Sequence, residues 1–164
     1  MAFIDSFGRV HDDLRVSVTD RCNLRCAYCM PEEPLWFPHE EILTYEEILR
    51  LVNVGIALGI RKVRVTGGEP LVRKGVYGFL TDLSGLDSLA DLSLTTNGVS
   101  LKANLNKIKS AGIKRINISL DTLKPERFAR ITGVDCFAQV QRGIEQAQAV
   151  GFSPIKLNTV VMRG

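Results

Sequence analysis

Five short segments in which apolar and polar residues alternate, each followed by a helical stretch or a turn, constrain this chain more than any other feature. Leu14, Val16 and Val18 alternate with Arg15, Ser17 and Thr19, and Val63 and Val65 with Lys62, Arg64 and Thr66. Leu92 and Leu94 alternate with Ser93, Thr95 and Asn97, and Ile116 and Ile118 with Asn117, Ser119 and Asp121. Ile155 and Leu157 flank Lys156, with Asn158 next. A period of two marks strands, expected over 14–19, 62–66, 92–96, 115–120 and 155–161. Between them, Thr44 and Glu47 form a capping box that opens a helix carrying Ile48, Leu51, Val52 and Ile56 and stopping at Gly59. A short helix bears Val76, Phe79, Leu80 and Leu83; Ser100 caps another running to Gly112. Pro125 sits in a first helical turn, where its missing N–H costs nothing, and a last helix carries Phe137, Val140, Ile144 and Ala147 to Gly151. Strands separated by helices predict an α/β fold of right-handed βαβ units with a parallel sheet, open or curled toward a barrel.

Parallel strands are normally buried on both faces and read as continuous apolar runs. These do not. Five strands share one polar set, which is expected to line a common surface while the apolar set packs under the helices. That surface would carry Arg15, Lys62, Arg64 and Lys156, where a complete barrel has Val, Ile and Leu. Four cations among hydroxyls suit a polyphosphate, since arginine matches phosphate bidentately. A sheet with one face simply in water is the plain alternative.

Immediately after the first strand come Cys22, Cys26 and Cys29, with three and then two residues between them. Three thiolates on one tight loop select an iron–sulfur cluster or zinc. An ordinary [4Fe–4S] cluster takes four cysteines, so three leave one iron without a protein ligand, and an open position marks a site of chemistry. A zinc knuckle with His11 or His39 as fourth ligand is the competing reading. Zinc motifs usually set a second cysteine pair at a distance, and none exists here.

The cysteine spacing resembles the signature of the radical S-adenosylmethionine (SAM) superfamily. The runs Asp5–Arg9, Leu14–Cys22 and Cys29–Pro31, together with Thr66–Gly–Gly–Glu–Pro70, resemble one family within it, the GTP 3′,8-cyclases of molybdenum cofactor biosynthesis. The resemblance extends over residues 1–164 as a single domain. It implies a partial (βα) TIM-type barrel of about five βα units with a polar lumen. It implies a [4Fe–4S] cluster on Cys22, Cys26 and Cys29 with one open iron that binds SAM, and SAM contacts at Tyr28, Gly68 and Ser119. GTP contacts are implied at Arg15, Arg64, Thr95 and Lys156, with Asn117 and Lys62 nearby. The implied reaction is cleavage of SAM to a 5′-deoxyadenosyl radical, which takes the ribose 3′-hydrogen of GTP so that C3′ attacks C8. A one-electron reductant and a homodimer follow from the resemblance alone. A different radical SAM enzyme would share the cysteines and not the substrate.

Relatives of this kind continue into a sixth strand and a second three-cysteine cluster that holds guanine. Cys136, beside Phe137, reads as a core residue, so no second cluster can be built from these residues. The expectation is a fragment or split half that cleaves SAM and holds GTP weakly. Gly68 is expected to tolerate no β-branched residue without losing SAM, with the iron retained. Asn97–Gly98 reads as a turn.

Composition narrows the partners. A net charge of +3, with no basic run, gives nucleic acid no support. No apolar stretch of about 20 residues is present, so no membrane partner is expected. The early residues Asp5, Arg9, Asp12 and Asp13 leave no room for a signal-peptide core, and clustered cysteines then point to the reducing cytoplasm.

Overall fold

A computed structural model describes residues 3–31 and 33–162. Its centre is a five-stranded, all-parallel sheet in sequential order: β3 (Asp13–Ser17), β4 (Lys62–Thr66), β5 (Asp91–Thr96), β6 (Arg115–Ser119) and β7 (Ile155–Asn158). A two-residue hairpin, β1 (Phe3–Ile4) with β2 (Val10–His11), precedes it. The connections carry α1 (Tyr45–Ala57), α2 (Val76–Ser84), α3 (Leu101–Ser110), α4 (Pro125–Thr132) and α5 (Phe137–Ala149). Sequential order with right-handed crossovers places every helix on the same side of the sheet. No helix among the described residues is long and apolar enough to cross a membrane.

The alternation sorts as expected. Val16, Val63, Val65, Leu94, Ile116 and Ile118 are all buried against the helices, with Phe79, Leu80, Leu105, Ile108 and Val140 packed over them. On the opposite face the register builds rows. Arg15 lies opposite Arg64, Arg64 opposite Ser93, and Ser93 opposite Arg115. One row nearer the C-terminal edge, Ser17 meets Thr66, and Thr95, Asn117 and Lys156 stand in line. Ser119 and Asn158 form the outermost pair.

The capping box of α1 forms both bonds: the Glu47 N–H donates to Thr44 Oγ1 at 3.2 Å, and the Thr44 N–H to Glu47 Oε2 at 2.7 Å. Ser100 precedes α3, yet its hydroxyl makes no cap bond. The Asn97 carboxamide instead takes the Val99 N–H at 3.0 Å, closing the turn one step earlier. In the hairpin, the Asp5 carboxylate accepts from the Phe7 and Arg9 amides and the Arg9 guanidinium, which hold its pKa down at about 2. The segment Asp5–Arg9 is thus a turn.

Two strands are shorter than the alternation suggests. β3 ends at Ser17, although the Val18 N–H still reaches the Thr66 carbonyl at 2.9 Å. β7 stops at Asn158 rather than Val161. Its partner β6 ends at Ser119, and past it the chain is tied sideways: Thr159 Oγ1 donates to the Leu120 carbonyl and the Val160 N–H to Asp121 Oδ1. Leu157, on the apolar side of this edge strand, is 51% exposed.

Candidate functional site

The cysteine loop leaves the sheet at the C-terminal end of β3 and is fastened on two sides. On one side it runs against the β4–α2 turn. The Gly68 N–H donates to the Thr19 carbonyl at 2.7 Å and the Glu69 N–H to the Arg21 carbonyl at 2.8 Å. A Cβ on Gly67 (φ +152°) would come within 2.6 Å of the Thr19 oxygen, and one on Gly68 within 2.4 Å of the Arg21 oxygen. Both glycines are therefore required by the main chain that leads into the cysteines. Their bare backbone has a structural use in this turn, whatever ligand also approaches it.

On the other side, the Arg25 N–H donates to the Thr132 carbonyl at 2.8 Å and the Ala27 N–H to that of Ile131 at 2.9 Å. These bonds use carbonyls of the last turn of α4, which would otherwise need a cap. The Arg25 guanidinium folds back onto the carbonyls of Cys22 and Leu24 and lies over the Trp36 ring.

Beneath the loop, Glu69 is completely buried. Its carboxylate accepts from the Leu71 N–H (3.1 Å), Thr96 Oγ1 (2.9 Å) and the Asn97 N–H (2.6 Å). Burial pushes its pKa up, and these three donors oppose that rise. Asn97 carries the link onward: its Nδ2 donates to Asn23 Oδ1 at 2.7 Å and approaches Cys22 Sγ at 3.6 Å. In sequence Asn97 reads as a turn residue; in the fold it is also buried and joins Glu69 to the cysteine loop. Its position next to a strand end in the polar set was the available signal.

Cys22 and Cys26 are half-buried and Cys29 exposed. Burial, then the nearby thiolates of Cys22 and Cys29, then Asp121, raise the Cys26 thiol to about 11. Cys22 is also raised, chiefly by burial. Thiols that repel one another as anions are those a cationic centre would deprotonate. Among the described residues no three His, Cys, Asp or Glu side chains surround a single ion position. Three soft thiolates on one loop are the donor set that an iron–sulfur cluster takes. His11, offered for zinc, has its Nε2 against Asp5 at 3.2 Å. Cys136 lies in the core, 5% exposed.

The remaining residues fall on the face beside the loop. The Tyr28 hydroxyl donates to Asp121 Oδ2 at 2.7 Å, tying the loop to the end of β6. Gly68 lies at the end of β4, and Ser119 is in the outermost row. Thr95 and exposed Lys156 share a row with Asn117, and Arg15 and Arg64 lie deeper. Arg64 pairs with Asp13 at 3.3 Å, and Lys62 is drawn to the bottom of the sheet by Asp12 at 3.0 Å. Arg115, absent from the sequence reading, stands in the Arg64 row, paired with Asp91. Its parity with Asn117 and Ser119 could have found it. Arg64 Nε, Arg115 Nε and Asn117 Nδ2 are buried and have no partner among the described residues.

The sequence profile of the radical SAM superfamily matches residues 16–164. The GTP 3′,8-cyclase of Thermodesulfovibrio yellowstonii is 50% identical over 162 residues, 98% of this chain and 50% of that protein. That of Petrotoga mobilis is 52% identical over the same shares. This chain thus spans about half the length of the curated relatives it matches. Among solved structures, SuiB of Streptococcus suis bound to its precursor peptide superposes with a TM-score of 0.75 at 18% identity, over 93% of this chain and 34% of that one. The likeness makes the open sheet part of a TIM-type barrel. With the loop at the C-terminal edge of the first parallel strand and the profile spanning nearly the whole chain, the protein belongs to the radical SAM superfamily.

Proposed function

We propose that this chain forms the SAM-cleaving, phosphate-facing part of a GTP 3′,8-cyclase acting in molybdenum cofactor biosynthesis. One observation carries the reading. Arg64 Nε, Arg115 Nε and Asn117 Nδ2 are buried donors without partners among the described residues, in neighbouring rows of a polar face. Buried polar groups are almost always paired, so three idle donors call for a ligand rich in acceptors. Arg15 and Arg64 stand side by side with, among the described residues, only Asp13 paired to either, a repulsion that an anion would relieve. The relatives' shared name, GTP 3′,8-cyclase, supplies a triphosphate of that chemistry.

In this reading Cys22, Cys26 and Cys29 would hold a [4Fe–4S] cluster with one iron left open to SAM. When bound and reduced by an external one-electron donor, it would supply the electron for reductive cleavage of SAM, on which hydrogen abstraction from the ribose of GTP would depend. The chain's own part is placement. The Gly67–Gly68 turn and the end of α4 hold the loop's shape; Tyr28, Gly68 and Ser119 border SAM at the rim. Arg15, Arg64, Thr95 and Lys156 face GTP, the two arginines one row deeper, roughly 7 Å per pair of residues along a strand. A cytoplasmic location, supported by cysteines clustered on one loop rather than spread as pairs, and a homodimer belong to the same reading.

Anaerobic reconstitution with iron and sulfide, followed by dithionite and SAM, tests the centre. The expected result is a broad iron–sulfur absorption that dithionite bleaches, and release of 5′-deoxyadenosine. Replacing Cys22, Cys26 and Cys29 with alanine should abolish both, and Cys136→Ala should change neither. Loss of iron in Cys136→Ala would overturn the three-ligand assignment. For the substrate face, Arg15→Ala, Arg64→Ala or Lys156→Ala should each weaken GTP about ten- to a hundredfold, charged hydrogen bonds contributing about 1.5–3 kcal/mol. Guanosine binding should hardly move. Equal losses for GTP and guanosine would place the phosphates elsewhere.

A further inference from the structure

The three cysteines are not equivalent. Among the described residues, Cys22 Sγ accepts from two others, the Leu24 N–H at 3.4 Å and the Asn97 carboxamide at 3.6 Å. No other described residue donates to the sulfur of Cys26 or Cys29. The second of these donors is held from four directions. The Asn97 main-chain N–H is anchored on Glu69 Oε2 at 2.6 Å, which fixes the position of its Cα. Its Oδ1 accepts from the Val99 N–H at 3.0 Å. Because an amide N–H can meet only the oxygen, that bond settles which end of the carboxamide is which. The Nδ2 must then face the loop, where it has Asn23 Oδ1 at 2.7 Å for one proton and Cys22 Sγ for the other. The Asn97 side chain is also buried, 9% exposed, which holds its carboxamide away from bulk water.

Resting on the cluster reading above, we infer that Asn97 is a positioning residue that aims an N–H at Cys22 and thereby favours the reduced form of the cluster. Reduction adds one electron and therefore negative charge shared with the thiolate sulfurs, and moves no proton. An N–H pointed at one of those sulfurs is stabilised more in the reduced state than in the oxidised one, so the reduction equilibrium shifts toward the reduced form. The arrangement also gives Glu69 a role at a distance. Its carboxylate touches neither the cluster nor its ligands, and acts by holding the Asn97 backbone in place.

The test is an EPR-monitored titration with dithionite on the full reconstituted chain. In Asn97→Ala, with iron content equal to the unmodified chain, the equilibrium constant for reduction should fall about tenfold, a potential about 59 mV lower for a one-electron couple. An unchanged potential in a fully loaded variant overturns the inference and leaves the cluster assignment standing. Should Asn97→Ala fail to take up iron, the unmodified chain still decides the matter. With asparagine labelled by ¹⁵N in the side chain, the reduced cluster should show a ¹⁵N hyperfine coupling together with that of an exchangeable proton. Absence of both couplings overturns it. An unmodified chain that takes up no iron at all overturns the cluster reading, and this inference with it.

Discussion

Glu69→Ala is expected to unfold the rim of the site. The carboxylate is the shared acceptor for the Leu71 N–H, the Thr96 hydroxyl and the Asn97 N–H, and the side chain is fully buried, without solvent contact. Each buried donor left unpaired costs about 1–3 kcal/mol. Three together approach the whole stability of a domain, about 5–15 kcal/mol. The thermal midpoint should fall by roughly 10 °C or more, at about 2–4 °C per kcal/mol for a chain of this size. Iron uptake should fall with it, since Asn97 and the loop lose their anchor. Glu69→Gln, which keeps an acceptor but turns an NH₂ toward one of the donors, should lie in between. A midpoint within two or three degrees of the parent in Glu69→Ala would mean that the three donors find other partners.

Gly68→Val should be comparably damaging, for a reason unlike the one its sequence context suggests. A glycine pair at a strand end invites the thought of a ligand resting on bare backbone, and the corresponding expectation was loss of SAM with iron retained. The backbone that rests there belongs to the chain itself. A Cβ at Gly68 would lie 2.4 Å from the Arg21 carbonyl and 2.5 Å from that of Asp20, distances that only a main-chain shift can relieve. Overpacking typically costs about 1–3 kcal/mol, and more when the obstacle is backbone. The shift would pass directly to Cys22, the next residue. Iron per chain and SAM binding should therefore fall together, with iron below half of the parent's. A variant that keeps its full iron and loses SAM would restore the ligand-only account.

The difference between what the sequence disclosed and what it concealed follows the range of the interactions. Alternation is a local property, and it located all five strands and the sidedness of Arg15, Arg64, Thr95, Ser119 and Lys156 correctly. The Thr44–Glu47 box was legible because both its bonds lie within four residues. Strand ends were less so: β7 stops where β6 ceases to offer a partner, a fact about a segment almost forty residues away. Asn97 followed by glycine has the local look of a turn, and it does close one through Val99. Its contacts to Glu69, Asn23 and Cys22 reach across two strand ends, and no short window contains them. Lys62 shows the reverse error. Its parity is right, but its depth in the sheet, and with it Asp12, decides where the charge goes.

The suture between the loop and α4 has a consequence for how such a protein is made. Ala27 and Arg25 are held by carbonyls about a hundred residues downstream. A ribosome adding about 5–20 residues per second needs roughly 5–20 s to reach them. The thiols leave the exit tunnel earlier than the clamp by that same interval, and until it emerges the loop lacks the bonds that give it its shape. Metal delivered early meets a flexible peptide, and oxidants meet unprotected cysteines. A cofactor that needs the finished loop would thus be taken up after the fourth helix of the chain has emerged, and a pause upstream of Thr132 would lengthen the time before the loop can close.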